Sequence, residues 1–206
     1  MGRVAGVILA AGASRRLGWP KQLLPLGDHP VLAHTVAAAR RTRLDPLLVV
    51  LGHAADEIRR QVDLADLTVI ENPDYAEGLS TSVRLALRHL PNDAEAVVFL
   101  LGDQPMVEPA VIERLIAAFC ERRAPIVQPR YAEGRGNPVL IARALFPELD
   151  RLTGDTGARP LLERYGGEVH LVDVRAHRRP ADLDTWEDYE RLRAEFERAS
   201  RGDIGR

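Results

Sequence analysis

The sequence predicts an α/β fold: one mostly parallel, twisted, Rossmann-like sheet covered by helices on both faces. Three observations predict it. Short apolar runs rich in β-branched residues alternate with amphipathic segments along nearly the whole chain, the pattern of strands buried on both faces and the helices that connect them. The most apolar runs, Val4–Leu9 and Ala96–Leu101, each stop abruptly in a glycine-bearing polar loop, and open α/β sheets bind ligands at the carboxyl ends of such strands. A length of 206 residues with 46% apolar content suits one domain with a sizeable core.

Val4–Leu9 is short, continuous and β-branched, so it reads as a buried parallel strand. It opens into the loop LAAGASRRLGWPK, Leu9 to Lys21, which carries Gly12, Ser14, Arg15, Arg16, Gly18 and Lys21. Glycines let backbone N–H groups approach a ligand, and arginine and lysine are charge-matched donors for phosphate. A strand opening into such a loop commonly holds the phosphates of a nucleotide. It is not a Walker loop, because five residues separate Gly12 from Gly18 and Lys21 is followed by Gln22. The pattern G-x-G-x-x-G is absent too. A solvated basic surface loop is the bland alternative.

Leu23–Asp28 reads as a turn-rich approach to a helix over Val31–Arg41, with Pro30 at its start. Leu47–Leu51 is a second strand, Ala54–Val62 a second helix with Asp56, Glu57, Arg59 and Arg60 outward, and Thr68–Glu71 a short third strand. Asn72-Pro73-Asp74 breaks the pattern. Gly78-Leu79-Ser80-Thr81-Ser82 then precedes VRLALRHL, where hydroxyl residues look like a helix cap. Capping explains one hydroxyl but not three after a glycine, and a helix start also suits reading the polar edges of a ligand. The two roles are compatible.

Ala96–Leu101 ends at Gly102-Asp103-Gln104-Pro105. A carboxylate leaving a central parallel strand points into the ligand crevice, although a lone aspartate also serves to turn the chain. Its strand is too apolar to leave that charge without a partner, and the basic loop lies beside it if the two strands are neighbours. Pro109–Arg122 is an amphipathic helix with Val111, Ile112, Leu115, Ile116 and Phe119 inward, followed by a strand at Ile126–Gln128. Tyr131–Arg135 reads as a mobile polar connection, and Asn137–Ile141 as an edge strand that tolerates Pro138. In Gly154–Arg159, Asp155 or Thr156 is placed to cap a helix running to Tyr165. Val169–Val174 is a further strand, and Asp184-Thr185 starts a last helix to Ala199, with a polar, frayed tail from Ser200.

The balance of charge, −2 with 28% charged residues, gives no global field for nucleic acid or membrane. No run approaches the roughly 18 apolar residues of a membrane span, and the first apolar run lacks the layout of a signal peptide. The single cysteine, Cys120, rules out an intrachain disulfide and a cysteine-rich zinc site. It reads as a small buried hydrophobe, consistent with a reducing, cytoplasmic location. The six histidines show no zinc spacing, and no repeat or interdomain linker stands out.

Leu9, Ala10, Ala11, Gly12, Ser14, Arg16, Gly18 and Lys21 together fit L-A-A-G-x-S-x-R-x-G-x-x-K. That stretch resembles the signature of the MobA/MocA-like nucleotidyltransferases, the family of the molybdenum-cofactor enzymes, whose fold is nucleotide-diphospho-sugar transferase-like. The resemblance spans Val4 to about Tyr189. Asn72-Pro73 with Gly78-Leu79-Ser80-x-Ser82 resembles the segment against the nucleotide base, and Gly102-Asp103-Gln104-Pro105 the segment whose aspartate binds catalytic magnesium. Gly136-Asn137-Pro138 and Gly154-Asp155-x-Gly157-Ala158-Arg159 match segments on the acceptor side. Asp182-Leu183-Asp184-Thr185-Trp186-Glu187-Asp188 resembles D-I-D-T-P-E-D, with leucine for isoleucine and tryptophan for proline.

The resemblance implies catalytic roles for Arg16, Lys21 and Asp103. It implies nucleotide contacts from Leu9, Ala10, Ala11, Gly12, Ser14, Arg15, Gly18, Gly78, Ser80, Thr81 and Ser82, and acceptor contacts from Asn137, Asp155 and Arg159. It places magnesium on Asp103 and, by analogy, on Asp184, while Asp182 reads as a turn residue. Residues 1–105 become the nucleotide-binding half and 106–199 the acceptor-binding half of one domain. The implied reaction moves CMP from CTP onto molybdopterin cofactor and releases pyrophosphate. Ala11 and the GLSTS stretch favour this cytidylyl branch over the guanylyl branch, which more often reads L-A-G-G. A molybdenum hydroxylase or its chaperone is the partner implied for the product. GTP, or another phosphorylated acceptor, is the alternative within the fold. A non-catalytic nucleotide-binding accessory protein for molybdenum enzymes is the competing class, and the presence together of Arg16, Lys21, Asp103 and Asp184 argues against it.

Overall fold

Strand β1, Arg3–Ala10, is buried from Val4 to Ala10, so a strand in this position has no solvent face to mark with polar residues. A computed structural model describes residues 2–200; the tail beyond Ser200 lies outside the described residues. β1 pairs in parallel with Leu47–Leu51 (β4) on one side and with Ala94–Leu101 (β6) on the other. The two most apolar runs of the chain are therefore neighbours, and the loops after them leave the same sheet edge. The Gly102 N–H donates to the Leu9 carbonyl at 2.9 Å, tying the two strand ends together.

The remaining main-sheet strands are Thr68–Glu71 (β5), Ile126–Tyr131 (β7), Gly134–Arg135 (β8), Val139–Ala142 (β9) and Val169–Asp173 (β10). Among the described residues the sheet has eight strands, in the order β10-β7-β9-β6-β1-β4-β5, with β8 paired to β7. All pairings are parallel except those of β9 with β6 and β7, and of β8 with β7. Helices Val31–Arg40 (α1), Ala55–Gln61 (α2) and Pro109–Arg122 (α4) cover one face around a core that includes Ile8, Leu32, Ile58, Leu100 and Leu115. Leu79–His89 (α3), Phe146–Leu149 (α5) and Arg159–Arg164 (α6) cover the other, around Val7, Val50, Val97 and Ile141.

A third cluster lies to one side, where the last helix, Trp186–Ser200 (α7), packs against a small hairpin of Pro25–Leu26 (β2) and His29–Pro30 (β3). The turn-rich approach of the sequence is thus a paired hairpin. Leu17 from the basic loop and Leu183 from before α7 share this cluster, so segments 166 residues apart are packed over one region. The start of α7 is a reciprocal cap: Thr185 N–H donates to Asp188 Oδ2 at 2.9 Å and Asp188 N–H to Thr185 Oγ1 at 3.2 Å.

Three expectations need correction. Tyr131–Arg135 is not a loose connection but a hairpin, because the Tyr131 ring is buried and its hydroxyl donates to the Asn137 carbonyl at 2.7 Å. Strand β9 is not an edge: it sits between β6 and β7. Pro138 does not prevent this, since it precedes the strand and no ladder donor is missing from Val139–Ala142. Cys120 is half-buried at the margin of the first core rather than enclosed in it.

Candidate active site

The basic loop is shaped by its own polar groups. Ser14 has a left-handed φ of 51°, unusual for a residue with a side chain. Its carbonyl accepts from Leu17 and Gly18 N–H at 3.0 and 3.1 Å, and its Oγ from Lys21 N–H at 3.0 Å. Gln22, which sequence reasoning passed over, fastens the loop to its strand: buried Nε2 donates to the Ala10 and Gly12 carbonyls at 3.0 and 3.1 Å. Its signal was a glutamine beside an apolar run, since a buried amide needs partners. Leu9, Ala10 and Ala11 are buried and form the floor, while Gly12, Arg15, Arg16 and Gly18 are exposed.

Lys21 leaves the loop at a short 3-10 turn and reaches two carboxylates. Its Nζ donates to Asp103 Oδ2 at 2.5 Å and to Asp184 Oδ1 at 3.1 Å, and Arg16 Nη1 donates to Asp184 Oδ2 at 3.3 Å. Three segments far apart in sequence thus meet at one point beyond the carboxyl ends of β1 and β6. Burial works to lower the Lys21 pKa, but the Asp103 charge and the hydrogen bonds to both aspartates outweigh it and hold the ammonium above its ordinary value. Burial pushes the Asp103 carboxyl up against the opposing pull of Lys21, and the Asp182 charge adds to the rise. Asp182 is more than a turn residue: buried Gln104 donates to its Oδ1 at 2.7 Å and holds it near this centre.

The start of α3 differs from the expectation. The helix begins at Leu79, so Ser80, Thr81 and Ser82 lie inside its first turn rather than before it. Asn72 Nδ2 donates to Thr81 Oγ1 at 2.8 Å and to Ser82 Oγ at 2.9 Å, which engages both hydroxyls within the protein. The Ser80 hydroxyl is buried without a hydrogen-bond partner.

Asp155 does not cap the helix that follows it; α6 starts at Arg159 behind Ala158, with no side-chain cap. Instead Asp155 Oδ1 accepts from Leu79 N–H at 3.1 Å, and the Gly154 carbonyl from Ser80 N–H at 3.1 Å. The carboxylate thus satisfies an orphan donor of a helix 76 residues away in sequence. Gly78 is required here: its φ is 114°, and a Cβ would stand 2.5 Å from the Gly154 carbonyl carbon. Asp155→Ala should therefore lower stability by about 1 kcal/mol, with Asp155→Asn retaining most of it. Unchanged urea midpoints for the alanine variant would show that the cap contributes nothing.

Arg159 stands exposed at the first residue of α6, and Asn137 is half-buried just before β9, on the same sheet edge. Arg16, Lys21, Asp103 and Asp184 form one chain of ion pairs, Arg16 to Asp184 to Lys21 to Asp103, whereas Gly78–Ser82 and Asp155 form a second group at the start of α3. A surface groove of about 690 Å³ between the β2–β3 hairpin and α7 contains none of the expected site residues.

Solved structures resemble this fold over nearly the whole chain, and curated proteins match all or part of it. The crystal structure of an Rv0371c homologue from Mycobacterium sp. strain JC1 is 43% identical, covers 96% of this chain and 98% of its own, and superposes with a TM-score of 0.87. Rv0371c of Mycobacterium tuberculosis H37Rv in complex with manganese is 37% identical, with 94% and 98% covered and a TM-score of 0.81. Nicotine blue oxidoreductase of Paenarthrobacter nicotinovorans is 29% identical over 202 residues, 92% of this chain and 96% of that protein. The bifunctional protein GlmU of Chromobacterium violaceum is 36% identical over 111 residues, but those cover only 24% of its length. The model of the MobA-like NTP transferase domain matches residues 6–169, from within β1 to the start of β10. With the basic loop and the β6 carboxylate converging inside that span, the chain belongs to the MobA-like NTP transferase family.

Proposed function

We propose that the chain transfers CMP from CTP to molybdopterin cofactor, with magnesium, and releases pyrophosphate. The observation that carries this reading is the Lys21 ammonium held between Asp103 and Asp184 beside the glycine-bearing loop. A cation already lies between two carboxylate oxygens there, the hard-donor chemistry that suits magnesium or manganese. Among the described residues no group of three or more His, Cys, Asp and Glu side chains is placed to hold a metal. Two carboxylates suffice for magnesium when substrate phosphates and water complete its shell. Asp103 and Asp184 would hold the ion. When bound, it would offset the negative charge that repels an anionic nucleophile from a triphosphate.

The rest falls to the chain. Lys21 and Arg16 stabilise charge on the α-phosphate and the leaving pyrophosphate. The loop backbone near Gly12 orients the triphosphate, and the family resemblance assigns the base to the start of α3 at Gly78–Ser82. Alignment of the acceptor oxygen with the scissile bond supplies much of the acceleration, with no covalent protein intermediate. A phosphorylated acceptor other than molybdopterin is the alternative that the same assay separates.

The test is pyrophosphate release from each of the four nucleoside triphosphates, with molybdopterin cofactor and with sugar phosphates. Release confined to CTP and molybdopterin is expected; release only with a sugar phosphate moves the acceptor, and none with any pair ends the catalytic reading. CTP with magnesium should also raise the unfolding temperature more than GTP does. The reverse order would assign the guanylyl branch.

A further inference from the structure

The Lys21 ammonium sits on the two carboxylates from which a metal site would be built. Its Nζ donates to Asp103 Oδ2 at 2.5 Å and to Asp184 Oδ1 at 3.1 Å, while Arg16 Nη1 donates to Asp184 Oδ2 at 3.3 Å. The side chains of Lys21 and Asp103 are 16% and 15% exposed, those of Asp184 and Arg16 43% and 71%. The inner pair is therefore shielded from water and salt, and the outer pair is not.

Charge makes this arrangement self-sufficient. Lys21 and Arg16 balance Asp103 and Asp184, and Asp182, held by Gln104, adds one negative charge nearby. A divalent ion added with Lys21 in place would meet an ammonium on the same oxygens and leave the site with excess positive charge. A triphosphate reverses that balance, because its anionic oxygens compete for the ammonium. Lysine suits such an exchange, since its charge is a point on a flexible four-carbon stem rather than a fixed fork. The backbone beneath it is fixed: Lys21 N–H donates to Ser14 Oγ at 3.0 Å, and Gln22 is fastened to the Ala10 and Gly12 carbonyls. The side chain can turn while the loop stays.

We propose that Lys21 is the resident counterion of the empty site, and that its transfer from Asp103 and Asp184 to the triphosphate opens those carboxylates to the metal. Nucleotide and metal then bind with positive coupling carried by this one side chain. The inference rests on the nucleotidyl-transfer reading and adds an order to it: Lys21 opposes divalent metal alone, and nucleotide admits it.

The test is titration of manganese into the whole chain without nucleotide, read by calorimetry and by the spin-resonance signal of the free ion. Lys21→Met should bind manganese at least about 10-fold more tightly than the wild type. Arg16→Met removes the same charge from the exposed side of Asp184 and should change the affinity less than about 3-fold. Manganese should also raise the unfolding temperature of Lys21→Met more than that of the wild type. Equal affinity in Lys21→Met and wild type overturns the proposal, and so does an equal gain in Arg16→Met, which would make the effect one of overall charge. The wild type gives a separate reading that needs no variant. A non-hydrolysable CTP analogue should bind without metal and shift the Nζ resonance of 15N-labelled Lys21. An analogue that binds only together with metal, or a resonance unmoved in the complex, also overturns the proposal. If no analogue binds with or without metal, the transfer reading fails, and the nucleotide-free manganese comparison still decides whether Lys21 blocks the carboxylates.

Discussion

Asp103→Asn should lower nucleotidyl transfer about 100- to 1,000-fold while leaving the fold in place, the cost typical of losing one charge-stabilising group at a reacting centre. The substitution keeps the shape of the side chain and removes only its charge. Asp103 lies beyond the end of β6, outside the strand core, with Lys21 as its direct partner. Burial pushes its carboxyl up while the Lys21 ammonium pulls it back, so the environment sets burial against charge at this position. Rates of pyrophosphate release and a thermal melt on the same preparation decide the matter. Full activity would remove Asp103 from the chemistry, and a collapsed melting temperature would make its role structural.

Lys21→Ala should cost about 100- to 1,000-fold in kcat/KM as well, and it should also change stability in a pH-dependent way. Without Lys21, Asp103 keeps its burial but loses the opposing charge that pulled its pKa back. A carboxyl whose folded pKa is raised binds its proton more tightly in the native state, so stability falls as pH rises from the unfolded value of about 3.9 through the folded one. The variant should thus trail the wild type by up to about 3 kcal/mol at neutral pH, the lower end of the cost of stranding a buried charge. The gap should narrow toward pH 4. Urea titrations at pH 4.5 and 7.5 in metal-free buffer measure it. A gap of equal size at both values would mean that Asp103 is not the stranded group, and unaltered kinetics would take Lys21 out of the site.

Much of this organisation was legible in the chain. The runs Val4–Leu9, Leu47–Leu51 and Ala96–Leu101 announced buried strands because a strand covered on both faces has no polar side to alternate. The loop from Gly12 to Lys21 and the carboxylate at Asp103 stood out because glycine, basic and acidic residues at strand ends have few purely structural explanations. Less legible were Gln22, Gln104 and Asn72, whose buried amides organise the loop, Asp182 and the hydroxyls of α3. Amides leave no periodic trace, and their partners are identified only by folding.

Local composition and hydrophobic period determined the order of strands and helices and marked the loops rich in glycine and charged residues, because both depend on each segment's own burial and chemistry. Tertiary structure alone decided that β9 would enter the sheet between β6 and β7, that Asp155 would cap α3 rather than α6, and that Lys21 would reach Asp184 across 163 residues. Each of those outcomes is a pairing between distant segments, and such pairings are set by which strands lie side by side and which helix ends come within hydrogen-bonding reach, neither of which any single stretch of sequence contains.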